Sequence, residues 1–260
     1  MPEIQLSPAT IKSNWELFRE IINESFPSRS KNLNKLYDDL EHQAKFAPAS
    51  SVDYFHNAIN GGYIDHVLRV YENSIKHHEL WKSSGMRVDY TEEELAFAAI
   101  HHDLYKVGFP RSGGEYYIPN ESKWHRENQG KMYSINPNNP RIDGADMTFM
   151  LLNQYSIPYS ENEFLGIRLT DGMYEDSNKK YLSGFGLETK LRSSLPYILH
   201  HADIMAFRFE FERWAQESKK FKFHNQTELP VVKEQVKSKE KVHAESIKIS
   251  LDEIDAMFKV

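Results

Sequence analysis

Apolar residues recur every three or four positions in one segment of this chain after another, and they almost never alternate. Trp15, Phe18, Ile21, Ile22 and Phe26 share one helical face, and Leu33, Leu36, Tyr37 and Leu40 repeat the pattern, which predicts two N-terminal helices. The stripe Ile64, Val67, Leu68, Tyr71 and Ile75 predicts a long helix from about residue 63 to Trp81. Thr91 precedes Glu94, and Ser160 precedes Glu163, at the spacing of a capping box, so helices are expected to start at both places. The first carries Leu95 to Ile100 without a polar break and reads as buried nearly all round. The period returns at 144–155 and again at about 189–215, where Leu195, Ile198, Leu199, Ala202, Ala206 and Phe209 form one stripe with a potential kink at Pro196. The expected fold class is all-α.

Two stretches escape this pattern. Residues 110–141 are polar, rich in Gly, Pro, Asn and aromatics, and read as a long loop insertion of the kind that often carries function. Residues 216–249 are charged and sparsely apolar, while Ser250 and Glu253 open a last short helix with Leu251, Ile254, Met257 and Phe258 on one side. The expected organisation is an N-terminal helical extension over 1–45, a helical bundle over 46–215 and a tail over 216–260. A helix as short as the terminal one is marginal alone, so it is expected to dock on this chain, a second copy or a partner.

Composition narrows the chemistry. The chain has no cysteine, which excludes disulfides, thiolate metal sites and cysteine nucleophiles. Any bound metal must then be held by His, Asp, Glu or water, which favours harder cations such as Mn, Mg, Fe, Co or Ni. A net charge of −6 over 260 residues argues against unspecific binding along a duplex and for a small anionic substrate. Neither a membrane-spanning apolar run nor a signal-peptide pattern occurs, so a cytoplasmic protein is expected.

Four residues of metal-ligand type fall on three of the predicted helices: His66 near the start of one, the pair His102-Asp103 at the end of the next, and Asp203 inside a third. Both carboxylates lie beside apolar stripes, and a buried carboxylate needs a cation. The phrases GGYIDHVLRV, IHHDLYKVG and HHADIMAFR resemble the H…HD…D signature of HD-domain metal-dependent phosphohydrolases. Upstream, FAPASSVDYFHNAINGG is similar to the lead-in of the branch containing HD-type 3′-to-5′ exoribonucleases and related nucleotide hydrolases. The resemblance implies an HD helical bundle in which His66, His102, Asp103 and Asp203 bind one divalent metal. It also implies that this metal activates water against a phosphate ester or anhydride. Asp103 and Lys106 are then the catalytic pair, with Lys106, one turn further on, reaching the phosphate or the attacking water. Where two-metal relatives carry an extra histidine, this chain has Thr170-Asp171, which speaks against a second metal and leaves Asp171 for a water or substrate group.

The insertion supplies candidates for holding a nucleotide. Tyr117 and Trp124 offer faces for a base, and Lys123 and Arg126 offer charge for phosphate. His56 is a further candidate for the substrate. His101, His200 and His201 adjoin the ligands but face other directions, which suits packing or support of the ligands. The leading expectation is therefore nucleotide phosphohydrolysis. The first alternative is 3′-to-5′ trimming of short single-stranded nucleic acid, and the second is a metal-bound module that acts through partners without catalysis.

Overall fold

The computed structural model describes residues 5–110 and 114–223, and residues 1–221 form one unit. The charged tail beyond 223 and the expected terminal helix at 250–260 lie outside the described residues.

Ten α-helices and one two-stranded sheet make up the regular structure among the described residues, an all-α architecture with a small hairpin. The chain opens with α1 (Pro8–Ser25), α2 (Ser30–Asp39) and α3 (Glu41–Phe46), continues with α4 (Gly62–Ser83) and α5 (Glu92–His101), and turns through a 3-10 segment at Leu104–Val107. Strand β1 (Tyr117–Pro119), α6 (Lys123–Gln129) and β2 (Tyr133–Ile135) follow, then α7 (Gly144–Gln154), α8 (Glu161–Arg168), α9 (Lys179–Leu182) and α10 (Leu195–Ser218). Helix α4 packs between α5 and α10, and α8 closes the bundle against α5 and α10. Phe18, Phe26, Leu36 and Tyr37 of the N-terminal helices share one continuous core with Tyr63, Val67, Phe97, Ile100 and Leu199.

Local chemistry explains the two best-defined helix starts. Thr91 and Glu94 form both halves of a capping box at α5, and Ser160 and Glu163 do the same at α8. Glu94 also accepts a hydrogen bond from the Ser160 hydroxyl at 2.5 Å, which ties the two N-termini together. At α4 the entry is tight. A Cβ on Gly62 would stand 2.1 Å from the Asn57 carbonyl oxygen, so only glycine lets the chain reverse there and start the helix that carries His66.

Several expectations are corrected. The insertion at 110–141 is not loop alone: it holds α6 and an antiparallel hairpin pairing Tyr117 with Ile135 and Pro119 with Tyr133. Three-residue strands are too short for alternation to register. A third N-terminal helix, α3, begins where α2 ends at Leu40. Helix α10 starts at Leu195 rather than near 189, and Pro196 sits in its first turn, where its missing N–H has no intrahelical partner to lose. Past Ala206 the buried stripe of α10 continues on Glu210 and not on Phe209. Phe209 is 41% exposed and takes the Arg69 guanidinium on its ring face at 4.3 Å.

Candidate metal centre

Helices α4, α5 and α10 each bring ligand-type side chains to one buried point. His66 projects from the second turn of α4 and is 1% exposed. Its Nδ1 meets both oxygens of Glu210, and because a carboxylate only accepts, Nδ1 carries a proton and Nε2 turns inward. Nε2 then stands 3.1 Å from Asp203 Oδ1 and 3.6 Å from Asp103 Oδ2. His102 is fixed in the same way by its own backbone. Its Nδ1 donates to the Ala99 carbonyl at 2.8 Å, and its Nε2 is buried without a hydrogen-bond partner, 3.4 Å from Asp103 Oδ2 and 3.9 Å from Asp203 Oδ1. The ligand atoms of His66, His102 and Asp203 lie within 4.8 Å of one another, and so do those of His56, His66 and Asp103.

Lys106 reaches Asp103 through a change of helix type. The chain leaves α5 into a 3-10 turn, in which side chains three apart eclipse, so Lys106 stands directly over Asp103. Its Nζ lies 2.5 Å from Asp103 Oδ2 and 3.4 Å from His56 Nε2. This buried ammonium is tied into the centre rather than free in the cavity.

The electrostatics favour positive charge. Burial lowers the proton affinity of His66, but Glu210 and Asp203 more than reverse this and push its pKa up to about 10. Burial opposes ionisation of Asp103, yet Lys106 and His102 hold its carboxyl well below the usual carboxylate range. Asp203 is lowered against burial chiefly by His66. A divalent ion would meet the field that now holds a proton on His66, so the donors present fit such an ion.

A cavity of about 240 Å³ adjoins His102 and Asp103 and is lined also by Tyr105, Thr170, Asp171 and Glu175. Desolvation and then the charges of Asp103 and Asp203 raise the pKa of Asp171. Tyr117 is coupled electrostatically to Lys106; burial raises its pKa to about 12, so its hydroxyl keeps its proton.

The remaining insertion residues do not join them. Arg126 donates to the Asn120 carbonyl and lines a separate cleft of about 790 Å³ with Arg213, Trp214 and Lys220. Lys123 pairs with Glu127 on the surface, and Trp124, 58% exposed, lines neither cavity. The larger cleft is lined by Glu210 but by none of His66, His102, Asp103 and Asp203. His101 packs in the core against Phe97, and His200 binds the Thr170 carbonyl.

Sequence reasoning missed Glu210 and the network behind it. Glu210 accepts from Arg69 at 3.2 Å, Arg69 and Arg213 both hold Asp65 at 3.2 Å, and Arg213 also donates to Asn57 at 2.6 Å. The available signal was spacing, since Glu210 follows Asp203 by two helical turns and so faces the same way.

The chain matches no protein-family model, no curated protein and no solved structure.

Proposed function

We propose that the chain is a metal-dependent phosphohydrolase of the HD type, cleaving a phosphate ester or anhydride of a nucleotide. One observation carries the reading. His66, His102 and Asp203, far apart in sequence, turn their ligand atoms to within 4.8 Å of each other, and among them the buried His102 Nε2 has no partner. A buried imidazole lone pair without a hydrogen bond is costly unless something else takes it. Asp103 adjoins the same group through His66 and His102.

A divalent cation held by His66, His102, Asp103 and Asp203 would act as a Lewis acid on a phosphoryl oxygen and lower the pKa of bound water. The protein residues do the rest. Ala99 and Glu210 keep the inner nitrogens of His102 and His66 aimed at the centre. Lys106 offers its charge to a phosphate oxygen beside Asp103, and the Tyr117 hydroxyl stays protonated near it as a hydrogen-bond donor. Asp171 lines the cavity beside Asp103, where desolvation and the charges of Asp103 and Asp203 raise its pKa. A cavity of about 240 Å³ is smaller than the usual site for a whole ligand, which suits a phosphoryl group inside and a nucleoside at the mouth.

The test is metal-stripped protein restored with Mn, Mg, Fe, Co or Ni singly and offered mononucleotides and short oligonucleotides. Metal-dependent phosphate release from nucleotides supports the reading; absence of hydrolysis with every cation overturns it.

A further inference from the structure

We infer that His56 is a further ligand of the same ion, giving the centre five protein donors: three imidazoles and two carboxylates. This rests on the metal-centre reading and deepens it. His56 stands outside the regular helices, in the chain leading into α4, yet its ring lies 4.9 Å from that of His66, with Phe207 of α10 packed edge-on at 5.8 Å.

Two donor groups overlap here: His56 with His66 and Asp103, and His66 with His102 and Asp203. His66 belongs to both. Its Nδ1 is taken by Glu210, so Nε2 is the nitrogen that serves each group. One lone pair on one nitrogen binds one ion. The two groups therefore meet at one nitrogen, and an ion bound there draws on both.

The protonation of His56 follows from Lys106. An ammonium has only protons to give, so the 3.4 Å approach of Lys106 Nζ requires a lone pair on His56 Nε2. That lone pair now accepts from the ammonium that also meets Asp103, so ligation by His56 exchanges this long Lys106 contact for the ion. The other ring nitrogen, Nδ1, is buried without a partner, so no hydrogen bond directs the ring elsewhere. Five donors of this kind leave one position open in an octahedron. Such a shell suits Mn, Fe, Co or Ni and departs from the four-donor shell of structural zinc.

The test titrates metal-stripped, full-length protein with Co²⁺ and reads affinity and visible absorption. His56→Ala should bind Co²⁺ at least about tenfold more weakly. Its absorption should also intensify, because fewer donors move the ion toward tetrahedral geometry. His42→Ala, on an exposed histidine, should match the unsubstituted protein in both. If His56→Ala fails to fold, His56→Leu, closer in volume, replaces it. Unchanged affinity and spectrum in a folded His56 variant overturn the fifth donor and leave the four-donor centre standing. No Co²⁺ binding by the unsubstituted protein overturns the centre itself.

Discussion

Glu210 places both carboxylate oxygens on Nδ1 of His66, at 3.2 and 3.1 Å, from a helix that begins more than a hundred residues later in the chain. The contact fixes the tautomer and orientation of His66 and strengthens it as a base. Glu210→Gln keeps the shape and removes the charge. Metal affinity should fall roughly 10–100-fold, measured by calorimetric titration. Glu210→Ala should further lower stability by about 3–5 kcal/mol, since Arg69 loses a buried partner. Wild-type affinity in Glu210→Gln would remove Glu210 from the centre.

His66→Ala, His102→Ala, Asp103→Ala and Asp203→Ala are each expected to abolish bound metal and nearly all nucleotide hydrolysis. In the proposed centre their donor atoms would serve one shell, so each loss would break the same object. Elemental analysis of the purified variants decides it, and full occupancy in all four would sink the assignment.

Lys106→Met should retain metal and lose rate. The ammonium is buried against Asp103, so the variant also removes the charge that holds that carboxyl ionised. Single-turnover hydrolysis with metal content measured in parallel separates the two effects. Turnover equal to the unsubstituted protein would exclude Lys106 from the reaction.

The helices and the convergence of His66, His102, Asp103 and Asp203 could be read from the sequence because each rests on a local rule, periodicity in one case and residue type at helix ends in the other. Glu210 could not. In a stripe of apolar residues a glutamate reads as the solvent edge, and only the crossing of α4 over α10 reveals that His66 and Arg69 await it there. The insertion misled differently. Trp124, Lys123 and Arg126 have the composition of a nucleotide clamp, but composition carries no direction. The structure turns Trp124 and Lys123 to solvent and Arg126 to another cleft, while Tyr117 lies near Lys106.

That separation makes the loop variants diagnostic. Tyr117→Ala should weaken substrate binding by roughly 1–3 kcal/mol if the ring stacks on the base, and Trp124→Ala should leave KM unchanged. Efficiency against a mononucleotide should also fall gently with salt. A single-stranded oligomer held by several phosphates would instead give a slope of roughly −0.7 per neutralised phosphate. A steep slope with efficient trimming and little nucleotide hydrolysis would favour the exonuclease alternative.

Glu94 offers a test away from the centre. Burial raises its pKa, but hydrogen bonds from Ser160, the Thr91 backbone and Asn162 outweigh this and lower it below 4.5. The unfolded chain therefore binds the proton first as pH falls, so the contribution of Glu94 is present above its unfolded pKa and fades through and below it. Glu94→Gln should destabilise the protein at neutral pH by about 1 kcal/mol, as loss of a cap does. The difference from the unsubstituted protein should shrink near pH 4. Denaturant midpoints at the two pH values measure it, and a pH-independent difference would contradict the assignment.

Because the donors sit on α4, on α10 and at the end of α5, an ion among them would also act as a cross-link. It would bind the folded chain and find no assembled shell in the unfolded one, so its affinity becomes stability by mass action, about 2.7 kcal/mol at a hundredfold excess over Kd. Chelation would then loosen the junction of three core helices, and the midpoint of thermal unfolding would follow the free metal concentration.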